Sequence, residues 1–305
     1  MLNEEDQPDE RRNRRILIGF ILAVSGGSLL YRLLLHEHLG QTAAMFLGIP
    51  AVLAILLALA PKAETVTGGI LKGITLALLI VAPLLGEGYL CILIAAPLFY
   101  VVGIAVGLAA DWRREKRDGT LMCVAVVLLP FCLEGVVPEL TFHRTQRVEV
   151  RSIVSGSEDE VSRALAASPR VDATLPRLLR IGFPRPLEAH GSGLEQGATR
   201  VIHFAGAEGD PPGDLVMRVV ESRRGYVRFA TVSDGSKLTQ WLLWKSSEVR
   251  WSAIDRDHTE VVWTIEFDRQ LDPAWYFTPW ERYAVGKAAA FLIEANATPV
   301  EGGVR

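Results

Sequence analysis

Six of the seven tryptophans of this 305-residue chain fall between positions 241 and 280: Trp241, Trp244, Trp251, Trp263, Trp275 and Trp280. Rings at that density do one of two things: they fill a core, or they line a cavity for an apolar ligand. Val249, Trp251 and Ala253 share one face of a strand, as do Val261, Trp263, Ile265 and Phe267. Groups able to move protons are scattered by comparison. His143, His190, His203 and His258 stand apart with no thiol beside them. Glu221, Arg228 and Arg250 lie in strand-like runs, where half the positions face solvent. Gly191-Ser192-Gly193 has no helix behind it to cradle a phosphate. G-x-S-x-G, H-E-x-x-H, a P-loop and a G-x-G-x-x-G before a helix are all missing. His36-x-His38 offers two nitrogens without a carboxylate or thiol cluster, which falls short of a zinc ligand set. The sequence therefore leads to no metal, no cofactor and no catalytic residue.

The elements that position those rings begin at His143, where the pattern turns to alternation. Residues 146–154 read as a strand. Ser157-Glu158-Asp159-Glu160 is a capping box that opens a short helix to about Ala167, and a second short helix is expected from Thr174 to Ile181. Six strands follow, at 199–205, 215–222, 226–232, 238–245, 249–254 and 260–267. Turns at 209–213, 223–225, 234–235 and 255–257 separate them, and such short connections imply an antiparallel meander. Thr278-Pro279-Trp280-Glu281 reads as a second capping box opening a last helix. Trp280, Ala284, Ala288, Phe291, Leu292 and Ala295 recur on one face of it.

Within this pattern, Thr259-x-Val261-x-Trp263-Thr264-Ile265 and Leu271-Asp272-Pro273-Ala274-Trp275-Tyr276-Phe277 resemble the closing strands and helix of the SRPBCC superfamily, which includes START, polyketide cyclase and Bet v 1-like proteins. The resemblance covers about 145–297. It implies an α+β helix-grip domain, an antiparallel sheet wrapped round a long C-terminal helix with a cavity for a hydrophobic ligand between them. The cavity lining is then expected from Trp251, Trp263, Ile265, Phe267, Trp280, Ala284, Ala288 and Phe291.

The N-terminal half is of another kind. The chain is 50% hydrophobic, yet 44 of its 67 charged residues lie in 139–305 and only six in 16–110. Apolar stretches at 16–35, 42–60, 68–86, 89–109 and 121–137 suit membrane helices, the last of them short and interrupted by Pro130 and Glu134. Arg11, Arg12, Arg14 and Arg15, and then Arg113, Arg114, Lys116 and Arg117, hold the N-terminus and the 111–118 loop in the cytoplasm. A fifth crossing, with Glu134 at the far headgroups, then places the C-terminal domain outside. Gly69-x-x-x-Gly73 and Gly103-x-x-x-Gly107 permit close helix packing. Cys91, Cys123 and Cys132 all fall in apolar segments, so the soluble half has no disulfide. Its net charge of −2 gives no basic field for nucleic acid.

The expected organisation is a charged tail at 1–15, a multi-pass α-helical membrane region at 16–138, a helix-grip domain at 143–299 and a tail at 300–305. The expected function is binding of a hydrophobic small molecule or lipid beside the lipid bilayer of the cell membrane. A cyclase- or aromatase-type enzyme on the same fold, and a pocketless interaction or sensory module, are the alternatives.

Overall fold

The computed structural model describes residues 63–85, 89–115, 134, 139, 141–171, 174–180, 183–206 and 211–298, with isolated positions between 16 and 57. The chain divides into two compact units, Met1–Pro130 and Phe131–Arg305. The expected tails, most of the stretches at 16–35 and 42–60, and the run 121–133 lie outside the described residues.

In the first unit, helices α1 (Val66–Leu85) and α2 (Tyr89–Glu115) run in opposite senses and pack along a glycine seam. A Cβ built on Gly107 would lie 2.6 Å from the Thr67 Cα, and one on Gly103 would strike the Ile74 side chain. Gly69 and Gly73 have nothing within 4 Å, so only the second of the two small-residue motifs lies in the seam. The Asp111 carboxylate closes the start of α1, accepting from the Val66 amide at 2.7 Å and the Thr67 amide at 3.0 Å. A carboxylate there meets the positive end of the helix dipole. Among the described residues one helix, Ile92–Trp112, is long and apolar enough to cross a membrane.

In the second unit, seven strands form one antiparallel sheet: β1 (Thr145–Ser155), β2 (Pro186–His190), β3 (Thr199–Phe204), β4 (Gly213–Arg223), β5 (Tyr226–Asp234), β6 (Leu242–Ala253) and β7 (His258–Arg269). Their order is β1-β7-β6-β5-β4-β3-β2, a meander whose last strand takes the first as its neighbour. Helix α3 (Glu158–Ala166) follows β1 and opens on Ser157 with both reciprocal capping bonds in place. Arg224-Gly225 turns β4 into β5, and Gly225 takes φ +70°, the left-handed conformation such a two-residue turn requires. Helix α4 (Ala274–Asn296) packs on β1 and β7.

Four departures from the sequence pattern have physical causes. Strand β2 is too short and proline-bound to show an alternation. Where a helix is expected at 174–181, a single 3-10 turn occupies Arg177–Arg180. The runs 238–245 and 249–254 form one strand, β6, entered through a 3-10 turn at Lys237–Gln240. A bulge between Trp244 and Ser246 flips the inward parity from 242 and 244 to 247, 249 and 251, so the alternation looks like two strands.

The fourth departure is the start of α4. Thr278 and Pro279 lie inside the helix, and its first residue is Ala274. Pro273, the N-cap, makes no side-chain cap bond; the Ala274 amide instead donates to the Glu134 carboxylate at 3.0 Å. Glu134 is thus buried in the second unit, where its carboxylate holds the start of α4. Arg269, fully buried, pairs with it at 3.2 Å and also holds Asp272 and the Leu271 and Phe142 carbonyls. A cap supplied 140 residues away leaves no local trace, which is why the 278–281 motif is misleading.

Candidate functional site

Between α4 and the sheet lies a cavity of about 140 Å³. Its helical wall is made by Ala284, Val285, Ala288, Phe291, Leu292 and Asn296, where small residues leave the room that larger ones would fill. The facing wall takes Ile202 and Phe204 from β3, Leu215 and Met217 from β4, Phe229 from β5, Leu242 and Trp244 from β6, and Trp263 from β7. A sheet that supplies five strands to one cavity while packing α4 against β1 and β7 is curled round the helix. The segment between α3 and β2 closes the remaining side with Pro169, Val171, Leu175, Leu179 and Phe183.

Of the residues expected in the lining, Trp263, Ala284, Ala288 and Phe291 are there. Trp251, Ile265 and Phe267 are not; they are buried in the core, packed among neighbouring side chains rather than facing free space. Trp280 is 46% exposed and faces away. The buried stripe of α4 runs Phe277, Glu281, Ala284, Phe291 and passes Trp280 by.

Polar groups in the described lining are few. The Ser247 hydroxyl accepts from the Trp244 indole at 3.3 Å, and the Asn296 amide bonds the Arg170 amide at 2.7 Å and the Leu292 carbonyl at 3.2 Å. Arg200, at the start of β3, is 6% exposed, and its guanidinium lies 4.7 Å from the Phe229 ring centroid. Nη2 donates to the Leu165 and Gly193 carbonyls, while Nε is buried with no partner. Burial pulls its pKa down to about 10. The Trp263 indole N–H is likewise buried and unpartnered.

Sequence reasoning missed Arg200 although a signal was present. With Ile202 and Phe204 it forms an inward-facing i, i+2, i+4 set, and a charge on the inner face of a strand is the exception to look for. Glu281 was missed too. Both its carboxylate oxygens are buried without a hydrogen-bond partner, and burial pushes its pKa up to about 7.

Of the other ionisable candidates, Arg228 is half-buried with its Nε unpartnered, and the rest sit at the surface. His203 pairs with Asp214 at 2.6 Å, His258 with Asp255 at 3.0 Å and His190 with Glu188 at 3.3 Å. Glu221 and Arg250 are exposed. Among the described residues no cluster of three or more His, Cys, Asp or Glu is able to hold a metal.

The curled sheet closing on a long C-terminal helix decides the architecture. The second unit has the helix-grip fold. Solved structures similar to it include a START superfamily protein from Mycobacterium smegmatis, at 12% identity and TM-score 0.35 over 49% of this chain and 92% of that one. The Zhui aromatase/cyclase from Streptomyces sp. R1128 is similar at 20% identity and TM-score 0.31 over 50% and 87%. A norcoclaurine synthase from Thalictrum flavum is similar at 13% identity and TM-score 0.31 over 50% and 98%. No family model and no curated relative matches the chain.

Proposed function

We propose that the protein is a membrane-anchored binder of small apolar molecules, with the cavity between α4 and the sheet as its site. The lining carries this reading: an almost wholly apolar wall around about 140 Å³ of free space. Apolar cavities of about 150 Å³ take up benzene-sized ligands, whereas a long-chain lipid needs several times that volume. Burying one ring, about 150–250 Å² of surface, is worth about 4–6 kcal/mol before the cost of association. The described lining holds no carboxylate, imidazole, thiol or phenol, so the cyclase reading finds no acid–base group there to support it. The free space equally weighs against a pocketless module.

Anchoring rests on the apolar N-terminal half, read as several crossings. Because Glu134 belongs to the domain, the last apolar run is Leu121–Leu133, which rises about 20 Å as a helix against the ~30 Å of hydrocarbon. In this reading it lies at the interface, and the domain stays on the side of the basic 113–117 loop, in the cytoplasm. Trp275 and Phe142, both exposed, flank a surface groove with Arg282 beside the capped start of α4. The indole of Trp275 and the cation of Arg282 suit the headgroup region that this apolar run would adjoin. Native mass spectrometry of the detergent-extracted full chain tests the binding reading. A co-purifying small apolar species, or uptake of one from a panel, is expected, and an empty spectrum throughout would count against it.

A further inference from the structure

Two buried donors without acceptors stand in one apolar wall. Nε of Arg200 and Nε1 of Trp263 both belong to residues lining the cavity, both are inaccessible to solvent, and neither has a hydrogen-bond partner. Leaving a buried donor unpaired is costly, and leaving a buried cation without a counter-charge is more so. Arg200 has only carbonyl oxygens and the Phe229 ring around it, and no carboxylate among the described residues pairs with it. A structural role accounts for part of this. Nη2 holds the Leu165 carbonyl in the last turn of α3, as a cation at a helix C-terminus does. That role uses one nitrogen and leaves Nε unexplained, and it says nothing of Trp263. The deficit in the wall is of acceptors and of negative charge.

We infer that the ligand is an amphipathic organic acid: an apolar ring or short-chain body in the cavity with a carboxylate at Arg200 and the Trp263 indole N–H donating to a second ligand oxygen. This rests on the apolar-ligand reading and narrows it. Charge-assisted bonds in a low-dielectric pocket are short and strong, and Arg presents the planar fork that suits a carboxylate. The remaining wall, which is hydrocarbon, selects the body by shape.

The test compares two ligands of one shape, benzoate and toluene, titrated into the detergent-solubilised full chain with micelle blanks subtracted. Binding of the benzoate at least about tenfold tighter is expected, the worth of one charged hydrogen bond. Arg200→Met should erase that preference while leaving the toluene affinity within a few-fold, and Trp263→Phe should reduce it while keeping a ring in place. Equal affinity of the two ligands for the unmodified protein would overturn the acid inference and leave apolar binding standing. Binding of neither would overturn both. If Arg200→Met fails to fold, the ratio in the unmodified protein still decides.

Discussion

At the scale of single residues, Glu281 is the clearest consequence of burial. Burial pushes its carboxyl up to about 7, above the ordinary carboxylate range, because burial disfavours the charged form, an effect only partly offset by the charge of Arg269. A folded-state pKa above the unfolded one means the protonated acid favours the fold. That stability is fully present below about pH 4.5 and is lost as pH rises through 7. Glu281→Gln should therefore unfold with a midpoint that changes little between pH 5 and 8. The unmodified chain should lose on the order of 2–3 kcal/mol over that range. Tryptophan emission against denaturant at the two pH values measures this, and parallel pH profiles would refute it. Nothing in the sequence isolates Glu281, since a lone carboxylate one residue after Trp280 reads as surface. Arg200, by contrast, was legible in the parity of β3.

At the scale of elements, what was legible depended on whether the cause was local. The capping box at Ser157 and the turn at Arg224-Gly225 lie within four residues of what they determine, and both form as their sequences indicate. The start of α4 is determined from afar, by Glu134 and Arg269, and a one-residue bulge scrambles the period of β6. Of the site, the helical wall and Trp263 could be read from spacing. The core roles of Trp251, Ile265 and Phe267 could not, because strand parity separates inside from outside but not filled space from empty. The buried pair invites a direct check. Glu134→Ala leaves Arg269 with one fewer counter-charge and the Ala274 amide uncapped, and should cost about 3 kcal/mol or more in denaturant unfolding. A loss below about 1 kcal/mol would mean the pair does not hold the start of α4.

At the scale of the whole molecule, the two halves follow different physics. One is nearly free of charge over 16–110 and the other is a mixed-charge α+β domain. On the proposed interfacial reading of the run 121–133, a reporter active only in the cytoplasm, fused after Arg305, should be active. Signal from one that works only outside would restore a fifth crossing. The cavity itself is the central claim, and filling it is the most direct test. Ala288 lines it from α4 without belonging to the fully buried core, so Ala288→Phe should place a ring in the free space while the fold persists. Titration of the solubilised chain with toluene, read by tryptophan emission, should show saturable binding to the unmodified protein and at least about tenfold weaker binding to Ala288→Phe. Unchanged affinity in the filled variant, with its near-ultraviolet circular dichroism intact, would contradict the account.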